Sequence, residues 1–188
     1  LDGTVSSRFG DALSRLDRAG ARLSDEPFAI FDGMLEINAK GGFAPAEAYA
    51  IHRAYLRERA QDYDPNVRAR IERGANLAAA DYIEMSRARE RLIEEMDARL
   101  SELDALILPT TPIVAPRMDE LATPEAFAAK NIPLLRNPSI ANFFDLCAIS
   151  LPLPRQGGLP VGLMAFARNG EDRRLFRIAF AFEQMFAS

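Results

Sequence analysis

A chain of 188 residues, 48% apolar and 27% charged, is long enough for a domain with a real core. Its net charge of −4 supplies no clustered basic face for nucleic acid. A single cysteine, Cys147, excludes an internal disulfide and a cysteine-built zinc cluster, and a single histidine, His52, leaves one imidazole for any histidine-based chemistry.

The stretch SSRFGDALSRLDRAG reads as a helix. Ser6 or Ser7 is placed to cap it, Phe9, Ala12, Leu13 and Leu16 share one face, and Gly20 fits a left-handed stop. ARL (21–23) reads as a short strand before Pro27. FAIFDGMLEINAK reads as a helix interrupted by Gly33 and ended by Gly41-Gly42. Pro45 suits the first turn of the next helix, AEAYAIHRAYLRERA. Pro65 opens the longest predicted element, 65–103. Its apolar stripe runs through Val67, Ile71, Ala78, Tyr82, Met85, Leu92, Met96, Leu100 and Leu103, with a kink expected at Gly74. Arg89 fills the gap between Met85 and Leu92. On an apolar stripe it is either buried with a carboxylate or carbonyls around it, or it snorkels from the edge.

The second part changes character. ALIL (105–108) reads as a buried strand that Pro109 ends. Proline-rich residues 109–138 read as an irregular loop with a helical turn near PEAFAAK. SIANFFDLCAISLPLP reads as a short helix passing into a strand at Ala148–Leu151, and GGLPVGLMAFA as a glycine turn and a strand. The closing helix buries Leu175, Ile178, Ala179, Phe182, Met185 and Phe186, with Glu171 and Asp172 in its first turn, where acids oppose the helix dipole favourably. The sum is one α/β segment over 1–188, helix-rich in 1–103.

No apolar run approaches the ~20 residues that a membrane helix needs. LDGTVSSRFG has neither the basic head nor the apolar stretch of a leader. The expectation is a cytoplasmic protein with no membrane partner. The missing initiator methionine reads as a piece of something longer.

No catalytic machinery stands out. The Gly pairs at 41–42 and 157–158 lack the Gly-Lys-Ser continuation of a phosphate loop, and there is no G-x-S-x-G elbow. Glu94-Glu95 and Glu171-Asp172 read as solvated helix acids. Lys40 and Lys130, the only lysines, stand in no segment that would desolvate them. His52 reads as a surface or packing residue.

Three blocks in order then carry a resemblance: DALILPTTPIVAP (104–116), NFFDLCAISLP (142–152) and GLPVGLMAFARNGEDRRLFRIAFAFE (158–183). They resemble the C-terminal part of the amidase signature family. ADYIEMSRAR (80–89), with Tyr82 and Arg89, is similar to the family's helix that carries a tyrosine and, seven residues on, an arginine. GDALSRLDRAGARL (10–23) looks like the helix-strand pair opening this half. The resemblance implies the C-terminal part of the amidase-signature fold, a mixed β-sheet covered by helices.

It also implies amide hydrolysis or transfer by a serine nucleophile, a second serine on a cis peptide bond and a lysine base, with no metal and no organic cofactor. No serine or lysine here matches those residues. The catalytic part is therefore expected outside this sequence, and the chain alone is expected to be inactive. RNPSIANFFD becomes the expected pocket wall, with Asn137, Ser139, Asn142 and Asp145 as candidates for substrate contact. For the asparagines and serine, capping or loop bonding stands as the alternative. Arg89, Thr110, Thr111 and Gly162 are expected to support the site structurally. The implied partners are a small amide substrate and the remainder of the same protein, with a homodimer left open.

Two further readings stand beside this one. The chain could belong to the glutaminase A-subunit of a tRNA-dependent amidotransferase. Asp145 and Cys147 stand where many such members carry glycine and proline, and Pro138 where they carry threonine, which weakens that reading. The other is a non-catalytic helical interaction module.

Overall fold

The computed structural model describes residues 1–25, 27–154 and 157–187. Two compact units divide the chain: Leu1–Pro27 with Met96–Ser188, and Phe28–Glu95. Among the described residues the first contains all three strands.

In the first unit, α1 spans Gly3–Arg18. It starts before the expected serine caps, because the Asp2 carboxylate accepts the Val5 N–H at 2.8 Å. Val5, Phe9, Ala12 and Leu16 form its inner stripe, and Gly20 takes the expected left-handed conformation at φ 93°. The predicted strand at 21–23 is absent, since those residues join no ladder. The closing helix α8, Asp172–Ala187, buries Leu175, Ala179 and Phe186 and half-buries Ile178, Phe182 and Met185, as its periodicity requires. Its other side leaves Phe176 and Phe180 each 64% exposed.

Strands β1 (Leu106–Pro109), β2 (Cys147–Pro152) and β3 (Gly162–Ala167) form an antiparallel sheet in the order β1-β3-β2. Pro109 does not end the pairing. It stands opposite Leu163, and the next residue, Thr110, donates its N–H to Gly162 O at 2.8 Å. In an antiparallel ladder a residue's N–H and C=O point the same way. The Pro109 carbonyl points away from β3, so its missing N–H would have pointed away too, and β1 loses no ladder bond. One sheet face packs Ile107, Leu163, Ala165, Ala167, Cys147 and Ile149 with residues of α1 and α8. On the other face Met164 and Phe166 are buried, while Ala148, Ser150 and Pro152 of β2 stand exposed.

Between β1 and β2 the expected loop is largely helical. Thr123 caps α6 (Pro124–Arg136) by accepting from the Ala126 N–H, and Pro124 sits in the first turn, where its missing N–H is harmless. The helix runs through Pro133, and α7 (Pro138–Phe144) follows. The proline content misleads here because Pro124 and Pro138 open helices and Pro133 is accommodated inside one.

In the second unit, α2 is Ile30–Ala39 and passes through Gly33 without a break. A Cβ on Gly33 would come within 3.0 Å of Leu92, so the glycine serves close packing. Next come α3 (Phe43–Arg59) and α4 (Pro65–Glu72), the latter capped by Asp64. The predicted 65–103 helix is broken, not kinked. A 3₁₀ turn at Arg73–Asn76 separates α4 from α5 (Ala79–Leu100). Gly74 lies so close to α3 that a Cβ would overlap the Pro45 carbonyl oxygen. Ile71 and Met85 are buried as expected, and so are Met96 and Leu100 in the end of α5 that belongs to the first unit, but Val67 is 49% exposed and Ala78 is also outside. His52 packs edge-on to Tyr63, with Nδ1 2.8 Å from its hydroxyl.

Candidate functional site

Asn137, Thr110, Thr111 and Gly162 gather around the end of β1, whereas Asp145 lies just before β2, towards the opposite end of the sheet. The sequence LILPTTP puts a strand, a residue without N–H and two hydroxyls in succession. Asn137, 5% exposed, sits where α6 meets α7. Its Nδ2 donates to the Pro109 carbonyl at 2.6 Å, and its Oδ1 accepts from Arg136 Nε at 3.2 Å. This carbonyl is on the side of β1 away from β3, so Asn137 satisfies an acceptor that the ladder leaves over. Ser139 donates to the Arg136 carbonyl at 2.7 Å, across the same junction. Thr111 donates to the Ile113 carbonyl at 2.9 Å, closing a local turn.

Thr110 does something different. Its Oγ1 lies 2.5 Å from Ser150 Oγ, so hydroxyls from the two edge strands meet across the middle strand. Gly162, opposite Thr110, makes room: a Cβ there would stand 2.5 Å from Thr110 Oγ1 and 2.7 Å from Ser150 Oγ. One hydroxyl donates to the other. The accepting hydroxyl keeps its own proton for a further acceptor. Ser150 is exposed, so that capacity lies at an accessible surface.

The loop after β1 is tied to the start of the chain. Asp2 Oδ2 accepts the Val114 N–H at 2.7 Å while Oδ1 caps α1, and the Asp2 N–H donates to the Pro112 carbonyl at 2.9 Å. Burial pushes the Asp2 carboxyl up, but the N–H groups of Val5 and Val114 outweigh it and hold the group below its ordinary value. Neither Asp2 nor Ser150 figures among the sequence candidates. Asp2 is findable, since an aspartate just ahead of a helical stripe is a capping signal. Nothing local marks Ser150, whose partner is forty positions away.

Asn142 and Asp145 are exposed on α7 and at its end. Asp145 adopts the left-handed conformation, φ 52° and ψ 37°, and stops the helix, with the Leu146 N–H reaching back to Ala141 O at 3.0 Å. Arg89 belongs to the second unit. It is half-buried, with its guanidinium 5.8 Å from the Phe43 ring centroid and Tyr82 edge-on to the same ring. Its half-burial lies between the buried and the edge placement read from the sequence. Among the described residues no group of three metal-ligating side chains converges.

The arrangement at the end of β1 is a set of aligned hydrogen-bonding groups on a rigid strand end, able to position or bind polar groups. The sequence model of the Amidase family matches residues 1–176. The 2-amino-5-chloromuconic acid deaminase of Comamonas testosteroni is 26% identical over 98% of this chain and 40% of its own length. The A-subunit of the glutamyl-tRNA(Gln) amidotransferase of Thermotoga maritima is 29% identical, over 98% of this chain and 42% of its own. A crystal structure of an amidase superposes with a TM-score of 0.81 at 25% identity, covering 99% of this chain and 43% of that one. The chain thus spans about two-fifths of the length of these relatives.

Proposed function

The chain belongs to the Amidase family, and from that premise we propose that it is the C-terminal portion of an amide hydrolase whose serine, cis-serine and lysine lie outside these 188 residues. The observation that carries this reading is the pairing of 98% coverage of this chain with 40% coverage of a relative. On this reading the chain completes the catalytic domain and walls the substrate pocket, and acts as part of a cytoplasmic enzyme. The exposed Asn142 and Asp145 meet the amide substrate. Asn137 and Ser139 hold the α6–α7 junction that presents them. Thr110, Thr111 and Gly162 fix the strand end beneath, and Arg89 supports its own unit.

The experiment compares the 188-residue chain with the intact protein for ammonia release from a panel of primary amides. The intact protein should turn over and the chain alone should not. Turnover by the chain alone would place a nucleophile within it and overturn the proposal. The likeness to the A-subunit of an amidotransferase supports a second reading, a glutaminase working with partner proteins. Ammonia release from glutamine alone among the amides, raised by those partners, would favour that reading.

A further inference from the structure

Helix α3 buries none of its residues, yet one of its sides is apolar. Ala44, Ala48, Ile51 and Tyr55 follow one another at steps of four, three and four, so they line one face. Ile51 is 69% exposed and Tyr55 56%. Beside the N-terminal half of this stripe, Ala44, Pro45 and Ala48 of α3 and Val67, Arg70 and Ile71 of α4 line an open groove of about 180 Å³. The patch therefore carries two projecting side chains and, about two turns away along the same helix, a recess walled by small ones. Exposed apolar patches of this kind mark interaction sites.

A two-fold interface uses one patch twice, so that patch must hold both a projection and the recess that receives it. We propose that α3 and α4 form a self-association face whose occupant is a second copy of this chain. With the two-fold axis crossing α3 near Ile51, the helices run antiparallel. Tyr55 of each copy then enters the partner's recess between Ala48 and Val67. The charges agree with this arrangement. Glu58 lies one turn beyond Tyr55 and arrives at the partner's groove rim, where Arg70 stands. Both are exposed, and neither makes an ion pair among the described residues. An aromatic side chain filling a pocket, with a charged pair at its rim, is the usual anatomy of an interface centre. The face spans only two helices, so the dimer should dissociate on dilution.

This inference stands on α3 and α4 and does not depend on the amidase reading. The test is sedimentation velocity of the intact protein across a dilution series, with Glu58→Arg, Arg70→Glu and the double reversal. Wild type should shift from dimer to monomer on dilution. Each single reversal should weaken the dimer by on the order of tenfold, and the double reversal should restore it, because opposite charges meet again. Far-UV circular dichroism checks that the exposed substitutions leave the fold intact. Ile51→Glu should abolish the dimer. A wild type that stays monomeric overturns the proposal, as does a dimer indifferent to these changes or a double reversal no better than the singles. A monomer strongly destabilised by Ile51→Glu also overturns it, because another part of the same protein then covers the face.

Discussion

Gly162→Ala tests whether the hydroxyl bridge is what demands a glycine at the start of the middle strand. The Gly162 backbone is outside the left-handed region, so an alanine faces no conformational objection. Only space opposes it. The new Cβ would overlap Thr110 Oγ1 at 2.5 Å and Ser150 Oγ at 2.7 Å. Overpacking of this kind costs about 1–3 kcal/mol. Pushing the hydroxyls apart also removes their hydrogen bond, worth about 0.5–1.5 kcal/mol. Together these predict a loss of roughly 1.5–4.5 kcal/mol. In a Thr110→Ala, Ser150→Ala background both oxygens are gone, and the new methyl's remaining close neighbour is the Cβ of residue 110 at 3.1 Å. There the same Gly162→Ala change should cost less than about 1 kcal/mol, giving a coupling within the range of about 0.5–3 kcal/mol found for residues in contact. Urea unfolding of the four proteins of this cycle, with unchanged dependence on denaturant, reads out the coupling. Equal costs in the two backgrounds would refute the reasoning and leave the glycine without this explanation.

Three further outcomes follow from single contacts. Asn137→Ala leaves the Pro109 carbonyl without its donor and should cost about 1–3 kcal/mol in chemical unfolding; Asn137→Asp, which sets a carboxylate against that carbonyl, should cost more, and the reverse order would contradict the hydrogen bond. Gly74→Ala drives a methyl into the Pro45 carbonyl, a backbone atom that no rotamer change can move aside, so the loss should reach about 3 kcal/mol or more, with the melting temperature as readout. Asp2→Asn should destabilise most above pH 4. The folded carboxyl ionises below its free value of about 3.9, so its contribution is full above that value and fades as pH falls through the folded one. A wild-type advantage that grew on acidification would refute the sign.

Local periodicity is the part of this fold that the sequence makes legible. The inner face of α8 can be named residue by residue, because its burial depends on spacing within one helix. The block order through LILPTTP, NFFDLCAISLP and GLPVGL is likewise enough to place the chain in its family. What stays hidden depends on pairs far apart in the chain. Gly74, within the break, packs against the Pro45 carbonyl, a contact that no window around 65–103 can contain. Pro109 reads as a terminator because a missing N–H counts against a strand only if that N–H would have faced its neighbour, and the phase of the ladder is invisible before β3 is placed. Thr110 and Thr111 look equivalent in sequence, but Thr111 closes the local turn, while Thr110 reaches Ser150.

The same distinction bears on the candidate site. Asn137 and Ser139 offer amide and hydroxyl groups for a substrate, yet the groups that give them their appeal in sequence already bond to protein carbonyls. Hydrogen-bonding side chains at an element junction serve the backbone first, because a buried carbonyl without a donor costs about as much as any single contact to a ligand returns. On the proposed reading, a contribution to binding from this stretch comes from its exposed residues, Asn142 and Asp145. Asp145 ends its helix in a left-handed turn, so its direction is set by the backbone before any ligand arrives. Substitutions at Asn137 should therefore act through stability and substitutions at Asn142 through substrate affinity. A KM that rises for Asn142→Ala with an unchanged melting temperature would separate the two roles, while a lowered melting temperature with KM unchanged would assign Asn142 to the scaffold as well.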